Sequence, residues 1–409
     1  MNRISWAKMD EWDSEKLVGT SSIKQRNRSK ILKSLITGPH TRAELARENE
    51  LSAPTVSRII SGLIADGIVS ETGIQQTGDV GAPGSFLAFN GSSGYVIGVD
   101  IGESEIRLCL ADLFGTILDE DVTQAKARLG GMATVEQIVN ASRHLLEKNG
   151  IPFELFRAIC VGVPGTVVLQ DGTICVNAPD INGWVNFPLK RILAKELNIG
   201  DCFLENAQNL AVISEHSSGC AVNYSNVVFL QIKGGIGAGL LLNGELFRGA
   251  GGKAGEVAFS MSSTTSVLPD KSNGRARHGS IEKEIGIEML LAKLGFDTKG
   301  LEADDLPSLQ TLYEKAAGGD AGLLRAIRES WDLIGMMSVN ICSLLNPELI
   351  VLGGDILPLA DELKARIEEL LQQYCLDPCE VKISMQGARA SVIGAVQVAC
   401  GRVYRQLGI

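Results

Sequence analysis

The sequence predicts an α/β protein in which a small helical unit precedes a much larger body. Its 409 residues exceed what one ordinary hydrophobic core holds, so two or three domains are expected. Glycine is abundant, at 46 residues, and aromatic residues make up only 5%, which suits tight turns between strands and helices. Apolar residues make up 45% of the chain, which is ample material for a buried core.

The charge distribution separates the two parts. The net charge of -10 argues against binding of nucleic acid over the whole surface. Residues 20–90 nevertheless carry eight Lys or Arg against six Asp or Glu, so the remainder of the chain carries -12. A mildly basic unit on an acidic body fits a DNA-binding module attached to a sensor, although chance asymmetry would give the same numbers.

Cysteine use and the N-terminal residues indicate the compartment. The nine cysteines are odd in number and lie mostly inside apolar runs, which is typical of free thiols in a reducing environment. The first residues contain no apolar signal core, and we find no run of about 18 uncharged apolar residues that could span a membrane. The sequence therefore predicts a cytoplasmic protein with no membrane partner.

The N-terminal unit has the element order of a winged helix-turn-helix. Residues 21–35 place apolar side chains at helical spacing. Thr41 and Glu44 then form a capping box for a second helix, and Ser52 caps a third. Two strands, joined by a glycine-rich loop, follow that helix and form the wing. The alternative is a three-helix adaptor that touches no DNA.

The third helix is the predicted recognition helix. Small hydroxyl residues and one Arg at its N-terminus can enter a major groove, and cations on the first helix can neutralise phosphates. The loop of the wing, residues 78–85, has neither Arg nor Lys, so phosphate binding falls to the first helix and to Arg58. The predicted DNA contacts are Lys24, Arg26, Arg28, Arg42, Ala53, Thr55, Ser57 and Arg58.

The body repeats one arrangement of strands and glycine turns. A strand, a turn at Gly102 and a second strand begin it, and such a hairpin can wrap phosphates with backbone amides. A second glycine-rich hairpin follows about 130 residues later, and a strand ending at Gly353 and Gly354 precedes a helix. This layout predicts a duplicated, two-lobed actin-like (ribonuclease H-like) ATPase fold.

At this point the residues resemble the ROK family (repressors, open reading frames and kinases). The family's repressors have a helix-turn-helix similar to RAELARENELSAPTVSRIISGLIADGIV, and its glycine-rich segment is similar to IKGGIGAGLLLNGELFRGAGGKAGEVAF. The resemblance runs from about residue 20 to the C-terminus. It implies an N-terminal extension over 1–19, a winged helix-turn-helix over 20–90 and a ROK domain over 91–409.

The chain departs from the family's kinases at the catalytic base. Their pattern is Glu-Asn-Asp-Ala-Asn, whereas this chain has Ala207 at the Asp position, and a methyl group accepts no proton. Glu205, two residues earlier, is expected to point elsewhere. The resemblance therefore implies a protein that is not an enzyme.

The nucleotide loops also depart from those of the kinases. Glu103 stands in the first loop, where a carboxylate repels a triphosphate, while Lys233 in the second could still attract phosphate. ATP binding is therefore not expected. We assign five glycines to degenerate nucleotide loops: Gly102, Gly235, Gly237, Gly353 and Gly354.

The sugar-binding segments are partly retained. The resemblance implies the sugar ligands Asn182, Asn206, Glu256, Phe259 and Glu282. Phe259 replaces a family His and could stack on an apolar ring face, as could Trp184, although a single Trp in this context is as often core. Glu256 and Glu282 could instead only cap local structure. The family's zinc ligands, a His and three Cys, are missing, so we predict no zinc and no other cofactor.

Together these features predict a sugar-responsive transcriptional regulator of the repressor type. It would bind operator DNA as a homodimer or tetramer, with a sugar or sugar derivative between the lobes changing the spacing of two DNA-binding modules. Two alternatives remain open: an active ROK sugar kinase with an appended DNA-binding domain, and a repressor controlled by a protein partner instead of a sugar. The sequence does not give the sign of regulation.

Overall fold

The computed structural model describes residues 23–74, 85–102, 104–170, 173–178, 181, 183–233, 235–261, 279–285, 287–296 and 307–409. Of the helices within these ranges, not one combines the length and the apolar character that a membrane span requires.

The N-terminal part is a winged helix-turn-helix, as the sequence predicts. Three helices are followed by a hairpin whose strands join a short third strand in the antiparallel order β1-β3-β2. The elements are α1 (Ile23–Thr37), β1 (His40–Thr41), α2 (Arg42–Glu48), α3 (Ala53–Ala65), β2 (Val69–Ile74) and β3 (Ser85–Phe89). Most of the wing loop, residues 75–84, lies outside the described residues.

Capping residues in the local sequence fix where α2 and α3 begin. Thr41 Oγ1 accepts a hydrogen bond from Glu44 N at 3.2 Å, and Glu44 Oε2 accepts one from Thr41 N at 2.7 Å, so the predicted capping box is present. Ser52 Oγ accepts from Thr55 N at 3.4 Å, with Pro54 in the first turn of α3. The apolar faces of the three helices meet in one core, formed by Ile31, Leu32, Leu35, Leu45, Val56, Ile60 and Leu63.

The body begins with a five-stranded mixed sheet of order β10-β7-β4-β5-β6. Its strands are β4 (Tyr95–Ile101), β5 (Glu105–Asp112), β6 (Ile117–Gln124), β7 (Phe156–Val163) and β10 (Cys202–Asn206). The helices α4 (Gly131–Lys148) and α5 (Leu189–Glu196) cover one face of this sheet. The hairpin β8 (Thr166–Gln170) and β9 (Thr173–Asn177) lies between β7 and α5 in sequence.

A second five-stranded sheet has the order β13-β12-β11-β14-β15. Its strands are β11 (Val227–Ile232), β12 (Ile236–Leu242), β13 (Glu245–Leu246), β14 (Leu349–Gly354) and β15 (Glu380–Ile383). In both sheets, two consecutive antiparallel pairs are followed by two parallel strands on the other side of the first strand. This repetition confirms the predicted two-lobed fold.

The remaining helices complete the two lobes. The second sheet packs into one apolar core with α7 (Ser280–Ile285), α8 (Ile287–Lys293), α9 (Leu309–Ala317), α10 (Ala321–Leu345) and α11 (Ala360–Tyr374). α6 (Ala207–Ser218) and the final helix α12 (Ala390–Gln406) pack on the first sheet, on the face opposite α4 and α5. Because α6 also packs on β12 and β11, it joins the two lobes.

The winged helix-turn-helix is tied directly to the first sheet. Only five residues separate β3 from β4, and they include a 3₁₀ turn over Gly91–Ser93. Asn90 Nδ2 donates to Gly67 O at 2.9 Å, and Leu113 N donates to Gly91 O at 3.1 Å. Since both sides of this short connection are hydrogen-bonded, the winged helix-turn-helix rests on the body.

Candidate DNA-binding face and interlobe ligand site

The N-terminal half of α3 presents the predicted recognition residues. Ala53, Ser57 and Arg58 are exposed, whereas Val56 and Ile60 of the same helix are buried. Thr55, also predicted to contact DNA, is half-buried, and its hydroxyl lies 2.8 Å from Ser52 Oγ. This hydroxyl is therefore already used at the helix cap.

The predicted phosphate-binding cations differ in their surroundings. Lys24 and Arg26 are exposed in the first turn of α1. Arg28 forms an ion pair with Asp66 after α3, at 3.3 Å, and Arg42 pairs with Glu71 of the wing at 2.8 Å. These two arginines connect elements of the module, so a contact with phosphate would require them to exchange partners.

The segment Glu205–Asn209, which contains the predicted base position, is held by a network of hydrogen bonds. Glu205 Oε1 accepts from Asn206 N and from Asn209 Nδ2, both at 2.9 Å. Glu205 Oε2 accepts from Arg248 Nε at 2.8 Å and forms an ion pair with Arg248 Nη2 at 2.6 Å. Both oxygens of the Glu205 carboxylate are therefore engaged by protein partners.

Asn206 is the N-cap of α6. Its Oδ1 accepts from Gln208 N at 2.9 Å and from Asn209 N at 3.3 Å, and its Nδ2 donates to Gly165 O at 2.9 Å. Ala207, at the predicted base position, is the first residue of the helix and is 9% exposed. A ligand that binds Asn206 must share these bonds, so its predicted role as a sugar ligand remains a prediction.

Strand β12 lies between the start of α6 and the segment that contains Glu256 and Phe259, two further predicted sugar ligands. On one side it packs against the first turn of α6, where a Cβ on Gly239 would lie 2.2 Å from Gln208 O. On the other side Ala238 N donates to Gly255 O at 2.8 Å. Gly255 has φ of +90°, a backbone conformation that favours glycine. The chain turns at this residue and leads directly into Glu256.

Two predicted ligands, Glu256 and Phe259, belong to this segment, and a third, Glu282, lies on the neighbouring helix α7. Glu256 is half-buried at the N-cap position of the 3₁₀ turn Val257–Phe259, where its side chain makes no capping hydrogen bond, and Phe259 is 50% exposed. The turn and α7 share one apolar core, so the backbone of Glu282 in α7 lies beside them. Asn182 lies outside the described residues. The structure thus brings the Glu256 segment and α7 together next to β12.

The glycines assigned to degenerate nucleotide loops have structural reasons that the sequence did not show. A Cβ on Gly353 would lie 2.4 Å from the Phe229 ring, and Gly354 has φ of +98°. Gly237 lies inside β12 against the Gln208 side chain, and Gly102 N donates to Glu105 O at 3.0 Å. Gly235 O accepts from Lys233 N at 2.8 Å, and Glu103 lies outside the described residues. A phosphate-binding role remains a prediction for all five.

The structure places Trp184 and Arg248, whose roles the sequence does not reveal. Trp184 is fully buried and donates to Ala127 O at 3.1 Å, so it belongs to the core and cannot stack on a ligand. Arg248, the partner of Glu205, was not identified from the sequence because 43 residues separate the two. Within the described ranges, no three His, Cys, Asp or Glu side chains are grouped to hold a metal ion, and His278 lies outside those ranges.

Comparisons with known proteins agree with this architecture. Residues 96–401 match the model of the ROK family, and residues 25–71 match a model described as bacterial regulatory protein, arsR family. A xylose repressor from Caldicellulosiruptor bescii is 24% identical over 387 residues, which cover 91% of this chain and 95% of the relative. A glucokinase from Halalkalibacterium halodurans is 26% identical over 319 residues, which cover 74% of this chain and 94% of the enzyme.

A solved structure shows the same fold over nearly the whole chain. The crystal structure of a ROK family transcriptional regulator, a homolog of the E. coli MLC protein, superposes with a TM-score of 0.70 at 20% identity. The similarity covers 94% of this chain and 98% of that one, so it includes the winged helix-turn-helix as well as both lobes. Since the ROK model itself matches well over half of the residues, this chain belongs to the ROK family.

Proposed function

We propose that this protein is a sugar-responsive transcriptional repressor that binds operator DNA through α3 and a sugar or sugar derivative between its lobes. The observation that carries the proposal is the joining of a DNA-binding module to a sugar-kinase fold without a base. Ala207 occupies the base position, and both oxygens of the neighbouring Glu205 are taken up by protein partners. Repressors are also among its relatives of similar length.

The proposed chemistry is recognition without reaction. Glu256 can accept hydrogen bonds from adjacent sugar hydroxyls, and the exposed ring of Phe259 can pack on an apolar face of the sugar. Phosphoryl transfer needs a carboxylate to take the proton of the attacking hydroxyl, and Ala207 cannot supply one. We therefore infer that the protein is not an enzyme, and that it needs neither ATP nor zinc.

The proposed regulation is linkage between ligand and DNA. Operator half-sites are separated by about 34 Å or a multiple of that distance, so a homodimer or tetramer must hold its recognition helices at this spacing. A sugar that favours one arrangement of the lobes changes this spacing. A 100-fold change in operator affinity corresponds to a coupling free energy of roughly 2.7 kcal/mol. The proposed units are residues 20–90 for DNA and 91–409 for the sugar and for self-association, in the cytoplasm.

A reciprocal pair of variants tests the proposal. Arg58→Ala is expected to weaken operator binding and to leave sugar binding intact, because Arg58 lies on the exposed face of α3. Glu256→Ala is expected to leave operator binding intact and to abolish release by sugar. Arg325→Ala, an exposed arginine on α10, is the control for Arg58. Operator affinity is measured with and without a panel of pentoses, hexoses and their derivatives, starting with xylose.

Three results would contradict the proposal in different ways. If Arg58→Ala and Glu256→Ala both behave like the parent, the assigned residues are wrong. If the purified parent phosphorylates a sugar in a coupled kinase assay, the protein is a kinase with an appended DNA-binding domain. A parent that binds operator DNA but responds to none of the sugars would instead favour control by a protein partner.

A further inference from the structure

Three of the nine cysteines lie together in the second lobe, near the ends of α10 and α11. Cys342 is in the last turn of α10, Cys375 directly follows α11, and Cys379 directly precedes β15. Cys342 is 3% exposed and belongs to the apolar core of this lobe, and the half-buried Cys375 and Cys379 pack against that core. Thiols from two segments that are distant in sequence thus meet at one place.

Hydrogen bonds to the backbone hold two of these thiols against the opposite segment. Cys342 Sγ donates to Asp377 O at 3.4 Å, although the two residues are 35 positions apart. Cys375 Sγ donates to Val339 O at 3.9 Å, and Val339 lies about one helical turn before Cys342 in α10. Each sulfur therefore faces the segment that carries the other.

The thiols also contact one another. Those of Cys375 and Cys379 each form a hydrogen bond with the thiol of Cys342, so Cys342 is the shared member of two thiol pairs. Sulfur atoms in hydrogen-bond contact need only a short approach to reach the roughly 2.05 Å of a sulfur–sulfur bond. The pairs are therefore placed for disulfide chemistry.

The two members of the Cys342–Cys375 pair differ in their access to solvent. Cys375 is half-buried and lies between Tyr374 and Leu376, which are 63% and 108% exposed. Cys342 is enclosed by the core, so a reagent in solution meets Cys375 first. Thiol–disulfide exchange depends on access in this way, with an outer thiol that meets the reagent and an inner thiol that completes the reaction.

We propose that Cys342 and Cys375 form a reversible disulfide by exchange with a low-molecular-weight disulfide such as oxidised glutathione. The Cys375 thiolate attacks one sulfur of the small disulfide, a mixed disulfide forms, and the first small thiolate leaves and takes up a proton. The Cys342 thiolate then attacks the Cys375 sulfur, and the second small thiol is released. Two protein thiols are oxidised, and one small disulfide is reduced to two thiols.

The surroundings of Cys375 determine the pH dependence of this exchange. Burial raises the pKa of the Cys375 thiol, and its hydrogen bond with Cys342 raises it further. Because the thiolate is the attacking species, exchange is slow at neutral pH. Its rate should increase by about tenfold for each pH unit as long as the thiol remains mostly protonated.

The bridge would tie the end of α10 to the chain that leads into β15, the edge strand of the second sheet. A cross-link between distant segments restricts the unfolded chain, so the oxidised protein should have a Tm that is higher by a few degrees. This modification goes beyond the proposed sugar response, since it uses none of the residues assigned to DNA or sugar.

The test exposes the reduced, full-length protein to oxidised glutathione at about pH 8.5, close to the pKa of an ordinary thiol. Free thiols are counted after alkylation, and the joined peptides are identified by mass spectrometry. The parent is expected to lose two thiols, to join Cys342 to Cys375, to retain no glutathione and to recover both thiols with dithiothreitol.

Three serine variants separate the roles of the thiols. Cys342→Ser should retain glutathione on Cys375, because no inner thiol displaces it. Cys375→Ser should slow oxidation of Cys342 by about tenfold or more, because the outer thiol that starts the exchange is missing. The matched control is Cys220→Ser, which removes another half-buried thiol, one whose pKa is raised by burial and by Glu215, and it should react like the parent.

The proposal is overturned if the parent keeps its thiols, if the joined pair is any other, including Cys342 with Cys379, or if Cys375→Ser oxidises Cys342 as fast as the parent does. Circular dichroism and the Tm of each reduced variant show whether it is folded. If Cys342→Ser does not fold, Cys375→Ser, at the half-buried position, decides the outcome.

Discussion

Phe89 packs edge-on against Tyr404, with ring centroids 5.9 Å apart and an interplanar angle of 81°. The same Phe89 ring meets Phe114 in a second edge-to-face contact, at 5.4 Å. Phe89 ends the wing strand, whereas Tyr404 belongs to α12, which begins beside Asp100 in the first lobe, where Ser391 Oγ donates to the carboxylate at 2.8 Å. One helix thus connects the interior of the body with the DNA-binding module.

This contact gives a first prediction about signal transfer. Tyr404→Leu should reduce the effect of sugar on operator affinity, because it removes the aromatic contact through which α12 meets the wing. Tyr404→Phe keeps the ring and loses only the hydroxyl bond to Leu113 O, which costs about 1 kcal/mol of folding free energy. The measurement is the ratio of operator Kd values with and without sugar. Equal ratios in the parent and Tyr404→Leu would exclude this route.

The contact between α6 and β12 gives a matched pair of glycine variants. A Cβ at residue 239 would lie 2.2 Å from the backbone oxygen of Gln208, which cannot move without shifting α6. A Cβ at residue 237 would lie 3.2 Å from the flexible Gln208 side chain. We expect Gly239→Ala to destabilise the protein by about 1–3 kcal/mol and Gly237→Ala to cost clearly less. Chemical denaturation of both variants checks this, and equal losses would contradict the assigned packing.

The capping box of α2 should be measurable as local stability. Thr41→Ala removes the hydroxyl that accepts from Glu44 N and should cost about 1 kcal/mol, whereas Thr41→Ser should cost little. The hydrogen bond from the Thr41 backbone lowers the pKa of Glu44 below its usual 4.5. The stabilisation by Glu44 is therefore complete above pH 4.5 and is lost as pH falls through the lowered value. Amide hydrogen exchange in α2 reports both effects, and unchanged protection in Thr41→Ala would argue against the cap.

His216 in the last turn of α6 should contribute to the pH dependence of stability. Burial lowers its pKa below 6.5 in the folded protein, and a hydrogen bond with the backbone of Tyr224 only partly opposes this. The unfolded chain therefore takes up a proton first as pH falls below 6.5, so folding stability decreases between 6.5 and the lowered value.

The matched variants for this effect are His216→Gln and His144→Gln. His216→Gln should flatten the decrease in stability below pH 6.5, and His144→Gln, at an exposed position on α4, is the control for replacing a histidine by glutamine. The free energy of unfolding is measured as a function of pH. If both variants follow the parent, His216 does not contribute.

Much of the fold could be predicted because its signals are local. The capping residues Thr41 and Ser52, the periodic apolar positions of α1 and the alternation of glycine turns with apolar strands each act within a few residues. The candidate site was less predictable. Ala207 at the predicted base position can be identified from the sequence, but the ion pair of Glu205 depends on Arg248, 43 residues away. The sequence leaves open whether Trp184 stacks on a ligand or belongs to the core. Its complete burial shows that neither face of its ring can contact a ligand.

The sequence by itself determined the order of the elements, the family resemblance and the presence of Ala at the predicted base position, because covalent neighbours fix helix caps, turns and the identity of each side chain. Only the tertiary structure decided which residues meet. Lys190, Phe203 and Arg402 lie on three elements far apart in the chain, as do Phe89 and Tyr404. The physical reason is that such contacts arise when separate apolar faces pack into a shared core, and local sequence patterns carry no record of which faces will pack together.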